Sequence, residues 1–391
     1  MIPLMKNAFF KEAETRQALA DFILQNKQLS MSEQCSAFEK AFASKQGRKY
    51  AVLFNSGGSA NLALLQALKN LSYVREGDKV GFSALTWSTN VMPIIETGLK
   101  PVAIDCEPST LNVMSGNLKN SLQSEKIKIL FLTNVLSFVG DIEEIRKICE
   151  QANIILIEDN CESLGTETIW GKTGNFGLAS TFSFFVAHHL STIEGGMICT
   201  DSDELAEMLK IVRANGWDRN LTGIQQAKWR NRYEINSEFE AKYSFYELGF
   251  NLRPTEITGF LGLFQLQFID EVLEARAKIF LEIENVMRQN IDLLPLQHEH
   301  ITKLPIFALP VICRTPELKK EYLARFTAGG IEVRPVIAGN IQRQVFYKKY
   351  VEDEVELPGA EFLHHNGFYC GIYPELTQEE LEIIKSCLIK I

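Results

Sequence analysis

The sequence predicts an α/β fold in which a mostly parallel central sheet carries helices on both faces. Short apolar runs alternate with amphipathic stretches between about residues 50 and 215, and apolar positions in those stretches recur every three or four residues. Such runs are typical of parallel strands, because helices cover both faces of each strand. The predicted strands are 51–54, 79–82, 101–105, 128–132, 153–159 and 180–185, and the predicted helices are 59–71, 89–97 and 141–152.

A smaller domain is expected in the last part of the chain. A polar, aromatic-rich connection follows residue 215, and a long connection of this kind is more often functional than idle. A helical pattern comes next at 255–287. We therefore divide the chain into an N-terminal arm with a large α/β domain, residues 1–270, and a small C-terminal α+β domain, residues 271–391. The elements expected in the small domain are strands near 304–311 and 331–337 and a closing helix at 377–389.

Composition excludes several classes of partner. The 391 residues carry a formal net charge of −9, whereas nucleic-acid binding needs clustered Lys and Arg. No run of about 18 apolar residues and no basic start followed by an apolar stretch is present, so we expect no membrane association and a cytoplasmic location. The eight cysteines form no CxxC or CxC pair, so we predict no zinc site, no iron–sulfur cluster and no other metal site.

The segment FNSGGSAN at 54–61 places two glycines between a predicted strand and a predicted helix. Successive backbone N–H groups at a helix N-terminus attract anions, so we expect a phosphate to bind at Gly57 and Gly58. A strand-to-helix turn needs small residues in any case, so this motif alone does not decide between the two interpretations.

A second motif, ILIEDNCESLG at 155–165, ends an apolar strand in Glu158 and Asp159. The carboxyl ends of strands line the ligand crevice of an α/β sheet, so an acid at this point is well placed for function. If the ligand is a pyridine cofactor, the carboxylate keeps the ring nitrogen protonated. The alternative is an ordinary solvated strand end or helix cap.

The most specific stretch is TFSFFVAHHLSTIEGGMICT at 181–200. A Ser-Phe pair is followed, five positions after the serine, by a reactive residue, and then by Glu-Gly-Gly and a strand. In this pattern the chain resembles the DegT/DnrJ/EryC1/StrS family of fold-type-I sugar aminotransferases, which bind pyridoxal 5'-phosphate through a lysine at the reactive position. The resemblance extends over nearly the whole chain. In this sequence the reactive position holds His188.

Histidine at this position changes the reaction that the resemblance implies. A lysine forms a Schiff base with the cofactor and carries the proton in transamination; a histidine forms no stable Schiff base but can still move protons. Within the family, this change marks the sugar 3-dehydratases. The resemblance therefore implies a fold-type-I architecture, a non-covalently held pyridoxal or pyridoxamine 5'-phosphate in the large domain, and His188 as the catalytic residue.

The resemblance also implies roles for other residues at the cofactor. Trp87 is expected to stack on the pyridine ring, Asp159 to contact the ring nitrogen and Ser183 to meet the phosphate together with the glycine turn. Glu162 stands where relatives usually carry a neutral glutamine that faces the phenolic oxygen. Asn251 corresponds to an asparagine that reaches the cofactor phosphate of a neighbouring subunit, which implies a homodimer with shared active sites.

A nucleotide sugar and L-glutamate are the expected small-molecule partners. Arg219, Arg253 and Arg334 are candidates for the pyrophosphate of the nucleotide sugar, because a guanidinium group matches phosphate oxygens in geometry and charge. Each of them taken singly is equally consistent with a surface ion pair. Asn340 resembles a position that contacts the sugar.

Two branches of 3-dehydratases are relevant. One acts on GDP-4-keto-6-deoxy-D-mannose in the synthesis of colitose, a sugar of lipopolysaccharide O-antigens, and needs only the cofactor and L-glutamate. The other acts on CDP-4-keto-6-deoxy-D-glucose and adds an iron–sulfur cluster whose ligands include a CxC pair. The absence of such a pair favours the first branch, with release of ammonia. The open alternatives are a nucleotide-sugar aminotransferase, a CDP-sugar 3-dehydrase of the iron–sulfur type and a sugar-nucleotide sensor without turnover.

Overall fold

The structure is a computed structural model that describes residues 1–390. Thirteen strands are present in this range. They are β1 (Tyr50–Phe54), β2 (Lys79–Ser83), β3 (Lys100–Ile104), β4 (Ile127–Thr133), β5 (Ile155–Asp159), β6 (Glu167–Thr168), β7 (Gly171–Lys172), β8 (Ala179–Ser183), β9 (Gly196–Thr200), β10 (Ile301–Lys303), β11 (Ala308–Ile312), β12 (Val333–Pro335) and β13 (Gly367–Gly371).

Fifteen α-helices accompany these strands in the described part of the chain. They are α1 (Glu12–Gln25), α2 (Glu33–Gln46), α3 (Gly57–Asn70), α4 (Met92–Glu96), α5 (Ser115–Ser121), α6 (Ile142–Ala152), α7 (Asp203–Arg213), α8 (Gly223–Arg232), α9 (Glu238–Ala241), α10 (Glu256–Leu266), α11 (Ile269–Met287), α12 (Pro316–Ala328), α13 (Val345–Tyr350), α14 (Pro358–Asn366) and α15 (Gln378–Cys387). Short 3-10 turns lie at Ser88–Asn90, Val135–Ser137, Asp218–Asn220 and Ile341–Arg343.

Seven strands form the central sheet in the order β1-β9-β8-β5-β4-β2-β3. β2 pairs in parallel with β3 and β4, β4 with β5, and β5 with β8. β9 lies between β1 and β8 and runs antiparallel to both. The predicted mostly parallel sheet is therefore confirmed, and every strand predicted between residues 51 and 185 is present within a few residues of its expected ends.

Alternate side chains of the sheet enter hydrophobic cores on opposite faces. Val52 and Phe54 of β1 belong to a core that includes α3 and α7, whereas Ala51 and Leu53 belong to a core with α2 and α11. Leu130 of β4 contributes to a third core, with α5 and α6. This alternation is the geometry of a strand, whose successive side chains point to opposite faces. Helices thus cover both faces of the sheet, as predicted.

The C-terminal region contains a second, antiparallel sheet in the order β11-β13-β12. The N-terminal arm crosses to this region: the N–H of Ile2 donates to the carbonyl of Gly330 at 2.7 Å, and the N–H of Glu332 donates to the carbonyl of Ile2 at 2.9 Å. The closing helix is present as α15. The division of the chain after residue 270 stays a prediction.

The prediction of one continuous helix over 255–287 is wrong. α10 ends at Leu266, and α11 begins only at Ile269. Between them, the backbone of Phe268 has a φ of −103° and a ψ of 0°, and its ring packs against Phe10 of the N-terminal arm with 6.1 Å between the ring centroids. A periodic apolar pattern does not reveal a break of this kind, because the contact that accompanies it comes from the far end of the chain.

The predicted helix at 89–97 is also interrupted. A 3-10 turn at Ser88–Asn90 comes first, and the short α4 follows. Pro93 lies in the first turn of α4, where the lack of an N–H is tolerated. Asn90, the last residue of the 3-10 turn, donates its side-chain N–H to Asp159 at the end of β5.

Within residues 1–390, no helix combines the length and the apolar character needed to cross a membrane. Over the same range, no group of three or more His, Cys, Asp or Glu side chains is arranged to hold a metal ion. All eight cysteines are unpaired, and only Cys161 is not fully buried.

Candidate functional site

The carboxyl ends of the parallel strands open into one cavity of about 510 Å³. Ligand pockets of roughly 300 to 1,000 Å³ are usual for small molecules and cofactors. Its walls come from the last residues of β4, β5 and β8 and from the segments that follow β1 and β2. This edge is where parallel sheets bind their ligands. The predicted site residues that line the cavity are Gly57, Gly58, Trp87, Asp159, Glu162, Ser183 and His188.

Asp159, the last residue of β5, is held by three N–H donors. Its Oδ2 accepts the amide N–H of Asn61 at 3.0 Å and that of Asn90 at 2.7 Å, and its Oδ1 accepts the backbone N–H of Cys161 at 2.8 Å. These donors come from α3, from the 3-10 turn after β2 and from the turn after β5. The carboxylate is therefore fixed in one orientation in the cavity wall.

The glycine turn meets β8 at an anion-attracting helix end. α3 has 14 residues and begins at Gly57, directly after Ser56, whose Oγ accepts the N–H of Ser59 at 3.1 Å. A Cβ at Gly57 would lie 2.7 Å from the Cβ of Ser183, which leaves no room for a side chain there. The partial positive charge of the helix N-terminus and the Ser183 hydroxyl together suit a phosphate group.

Trp87 provides an aromatic face in the cavity wall. Its side chain is 57% exposed, although large aromatic side chains are usually buried in a core. Phe307 and Tyr369 of the C-terminal region line the same cavity, as does Leu4 of the N-terminal arm. The cavity thus lies between the central sheet, the C-terminal region and the arm.

Glu162 is half-buried in the cavity wall, and its environment favours the neutral carboxylic acid. Its Oε2 accepts the backbone N–H of Leu136 at 2.9 Å. Burial raises the pKa of Glu162 to about 8; the Leu136 N–H opposes this shift, and the nearby Asp159 carboxylate adds to it. Glu162 therefore carries its proton in most molecules at neutral pH and has an O–H to donate.

His188 lies on the loop between β8 and β9, among aromatic rings. Its ring centroid is 5.1 Å from that of Phe307 and 6.1 Å from that of Phe185. Burial and, next, the positive charge of Arg276 lower the pKa of His188 to about 4, and the Phe185 carbonyl opposes this shift. The imidazole is therefore neutral at neutral pH, which is the form that accepts a proton.

These features fit pyridoxal or pyridoxamine 5'-phosphate. The start of α3 and Ser183 suit its phosphate, Asp159 suits its ring nitrogen, and a protonated Glu162 has a donor for its phenolic oxygen. Trp87 has an exposed face for the ring. All of the residues that suit a part of the cofactor line this one cavity.

The DegT/DnrJ/EryC1/StrS aminotransferase family matches residues 11–388 of the chain. The chain belongs to this family. Among its relatives, the GDP-4-keto-6-deoxy-D-mannose 3-dehydratase of Yersinia pseudotuberculosis is 32% identical over 376 residues, which cover 94% of this chain and 94% of that protein.

Two solved structures resemble the chain over almost its whole length. A GDP-4-keto-6-deoxymannose-3-dehydratase with a trapped PLP-glutamate geminal diamine has a TM-score of 0.91 at 29% identity, covering 99% of this chain and 100% of that chain. A mutant of such a dehydratase with bound GDP-perosamine has a TM-score of 0.89 at 29% identity, covering 99% and 100%. The fold-type-I architecture expected for a member of the DegT/DnrJ/EryC1/StrS family is confirmed.

Three of the predicted site residues do not line the large cavity. They lie on or beside the aromatic-rich connection that follows residue 215. The Nε of Arg253 donates to the Oδ1 of Asn251 at 3.0 Å. The guanidinium of Arg219 lies over the ring of Trp217, 5.2 Å from its centroid. Asn251 is expected at the cavity of a neighbouring subunit, so a single chain does not test it. The roles of all three residues stay predictions.

Arg334 and Asn340 also lie outside the cavity. Arg334 forms an ion pair with Glu332, two residues earlier on the C-terminal sheet. The Nδ2 of Asn340 donates to Glu361 at 3.1 Å, and Asn340 lines a separate, more polar depression of about 490 Å³. Their proposed contacts with the nucleotide sugar therefore stay predictions.

Five residues of the site were not predicted from the sequence, and their side chains contact or face residues that lie far away along the chain. Asn61 and Asn90 hold Asp159, and Leu4, Phe307 and Tyr369 close the cavity from the arm and the C-terminal region. Asn61 carried one usable signal, because it is a polar residue on the otherwise apolar, buried face of α3. The other four carried no local signal.

Replacing Asn90 by leucine is expected to weaken binding of pyridoxal 5'-phosphate by roughly tenfold or more, because a hydrogen bond to a charged group contributes about 1.5–3 kcal/mol. The dissociation constant is measured by absorbance titration. Asn366→Leu is the control: Asn366 is equally buried and donates to the Cys313 carbonyl at 2.9 Å, but it does not line the cavity. Equal weakening in both variants would contradict a specific role of Asn90.

Replacing Glu162 by glutamine is expected to leave cofactor affinity at pH 7 within about threefold of the wild type, because Glu162 is already neutral there. Above pH 8 the wild type should lose affinity relative to the variant, because ionised Glu162 places a second negative charge beside Asp159. Titrations from pH 6 to 9 measure the ratio of the two dissociation constants. A ratio that does not change with pH would contradict the protonated state of Glu162.

Proposed function

We propose that the chain is a 3-dehydratase that depends on pyridoxal and pyridoxamine 5'-phosphate and removes the C3 hydroxyl of a nucleotide-linked 4-keto-6-deoxy hexose. The observation that carries this proposal is His188, which stands where the family pattern has a lysine and lines the same cavity as Asp159 and Ser183. Among the described residues, none of those that line this cavity is a lysine. A reaction that needs a covalent lysine therefore has no candidate side chain in the cavity.

His188 is suited to two proton transfers in this reaction. The bound cofactor supplies an electron-withdrawing ring that makes a neighbouring C–H acidic. Burial and Arg276 keep the pKa of His188 low, so its imidazole is neutral and would be free to accept that proton at the cofactor C4' position. Once protonated, the same imidazolium is a strong enough acid to donate to the departing C3 hydroxyl oxygen.

The other cavity residues hold and polarise the cofactor in this proposal. Asp159, fixed by Asn61 and Asn90, keeps the ring nitrogen protonated. Glu162 donates a hydrogen bond to the phenolic oxygen. The phosphate is bound by the glycine turn, Gly57 and Gly58, and by Ser183. Together these residues would hold the cofactor in the cavity that His188 also lines.

We propose GDP-4-keto-6-deoxy-D-mannose as the sugar substrate and L-glutamate as the amino donor that restores the amine form of the cofactor. The Yersinia pseudotuberculosis relative is a GDP-4-keto-6-deoxy-D-mannose 3-dehydratase, and one similar structure contains a PLP-glutamate adduct. Another contains GDP-perosamine. Arg219, Arg253 and Arg334 remain the proposed contacts of the pyrophosphate, with Asn340 at the sugar. The products are a 4-keto-3,6-dideoxy sugar, ammonia and 2-oxoglutarate, the keto acid that remains when L-glutamate gives up its amino group.

The proposal includes a homodimer with shared active sites and a cytoplasmic location. Asn251 is exposed and does not line the cavity of its own chain, which is consistent with a contact to a cofactor phosphate in a second subunit. The eight unpaired cysteines suit a reducing compartment such as the cytoplasm, where disulfides are rare.

Wild-type protein incubated with pyridoxal 5'-phosphate, L-glutamate and GDP-4-keto-6-deoxy-D-mannose is expected to produce a nucleotide sugar with one oxygen fewer and to release ammonia. His188→Lys should lose this deoxygenation, because a lysine at this position binds the cofactor covalently and carries the proton in transamination instead. Mass spectrometry of the nucleotide sugar and an ammonia assay provide the two readouts.

His300→Gln is the control for this experiment. His300 contacts the Val139 carbonyl at 2.9 Å and does not line the cavity, so its replacement should leave both readouts unchanged. An aminated sugar from the wild type would identify an aminotransferase instead. Binding of the nucleotide sugar without any turnover would identify a sensor.

A further inference from the structure

A second, smaller cavity lies behind His188 and is called the rear cavity below. It measures about 40 Å³ and is lined by residues 5–10 of the N-terminal arm, by Arg276 of α11 and by Tyr373 in the loop after β13. His188 lines both the rear cavity and the large one. Its neighbour Ala187 also lines both, so the two cavities adjoin each other at this segment.

Several buried polar atoms on the side chains around the rear cavity have no hydrogen-bond partner in the protein. They are Nδ1 of His188, Nδ1 of His189, Nε of Arg276 and the hydroxyl of Tyr373. Buried polar groups are nearly always hydrogen-bonded, to protein or to ordered water. A water molecule needs roughly 10–15 Å³ of such a cavity, so the rear cavity has room for about three.

Arg276 is an unusual residue for such a place. Its side chain is 5% exposed, and its Nη1 donates to the carbonyls of Ile306, Phe307 and Ile372 at 3.2, 2.9 and 2.6 Å. Among residues 1–390, no carboxylate lies within ion-pair distance of it. Buried charges are normally paired, so a buried guanidinium held by carbonyls alone calls for a reason other than stability.

Arg276 also contacts the residue that packs against the His188 ring. It binds the carbonyl of Phe307, whose ring packs against His188 with 5.1 Å between the centroids. The Phe185 carbonyl beside His188 already accepts the backbone N–H of that residue at 2.9 Å. Nδ1 of His188 is buried and has no hydrogen-bond partner in the protein, whereas Nε2 is not among the buried unpartnered atoms.

We propose that Arg276 and Tyr373 are positioning residues, which hold water in the rear cavity so that Nδ1 of His188 donates a hydrogen bond and Nε2 stays free to accept a proton from the cofactor. The catalytic consequence rests on the proposed function. The positive charge of Arg276 also disfavours a protonated His188, and burial together with this charge lowers the pKa of His188. Arg276 itself remains charged, because burial lowers its pKa only to about 10, against the opposing effect of Glu375.

Other titratable groups line the two cavities that His188 borders. They are Lys6 on the arm, Tyr373 and Glu375 after β13, His189 and Glu194 on the loop of His188 itself, and Asp159, Cys161, Glu162 and Tyr369 across the large cavity. Arg276 is the charged group that shifts the pKa of His188. Its removal is therefore the direct test.

The test is an NMR titration of full-length protein labelled with ¹⁵N-histidine, without and then with pyridoxamine 5'-phosphate, in which His188→Asn assigns the signal. In the wild type, His188 should carry its proton on Nδ1 and titrate near pH 4. Arg276→Met should raise the midpoint by about one pH unit or more, which is a tenfold change in the proton affinity. Tyr373→Phe should weaken the preference for the Nδ1–H tautomer.

Lys278→Met is the matched control, because it removes a positive charge from the exposed face of the same helix. It should leave the titration and the tautomer of His188 unchanged. The half-reaction of L-glutamate with the cofactor gives a second readout: Tyr373→Phe should lower kcat by about tenfold and leave KM for L-glutamate unchanged. Arg276→Lys should restore part of the wild-type titration, because it keeps the charge.

Unchanged titration and tautomer of His188 in folded Arg276→Met and Tyr373→Phe would overturn the proposal. If Arg276→Met does not fold, Tyr373→Phe decides alone, because it removes a single oxygen atom. The titration needs no sugar substrate, so a failure of the dehydration assay leaves its result intact. A shifted titration with no sugar turnover would overturn the proposed function and retain the positioning role.

Discussion

The carboxylate of Asp159 is the constraint on which the rest of the site depends. It stands at the end of β5, and donors from α3, from the turn after β2 and from the turn after β5 converge on it. Each donor ties a different segment to the same carboxylate, so the anion-attracting start of α3 and the wall with Trp87 keep fixed positions around the cavity. A ligand held by all of these segments would have little freedom to rotate.

The electrostatics of the cavity follow from this arrangement. Burial, reinforced by the negative charge of the nearby Asp159, keeps the proton on the half-buried Glu162. His188 is neutral because burial combines with the positive charge of Arg276. Both side chains are therefore neutral at pH 7, although a glutamate is usually ionised there and a histidine usually titrates close to that pH. Their chemical roles differ, since Glu162 can donate a hydrogen bond and His188 can accept a proton.

Much of the fold could be predicted from local sequence patterns, and most of the residues that line the cavity could be predicted from those patterns together with the resemblance to the DegT/DnrJ/EryC1/StrS family. Apolar runs indicated the strands, and the ends of parallel strands necessarily meet at one edge of the sheet, which brought Gly57, Asp159 and Ser183 together. Contacts between distant segments could not be predicted. The break at Phe268, the amide donors to Asp159 and the buried Arg276 all depend on tertiary packing, and the sequence pattern around each of them is that of an ordinary helix or loop.

The central claim is that His188 carries the proton at the cofactor, and the half-reaction with L-glutamate tests it most directly. Stopped-flow absorbance follows the conversion of pyridoxal to pyridoxamine 5'-phosphate in the wild type and in His188→Asn, with the cofactor dissociation constant measured for both. We expect conversion in the variant to be roughly 100-fold slower or more, with similar cofactor affinity, since a positioned acid–base group contributes about 10²–10⁴-fold. Equal rates in the two proteins would contradict the account.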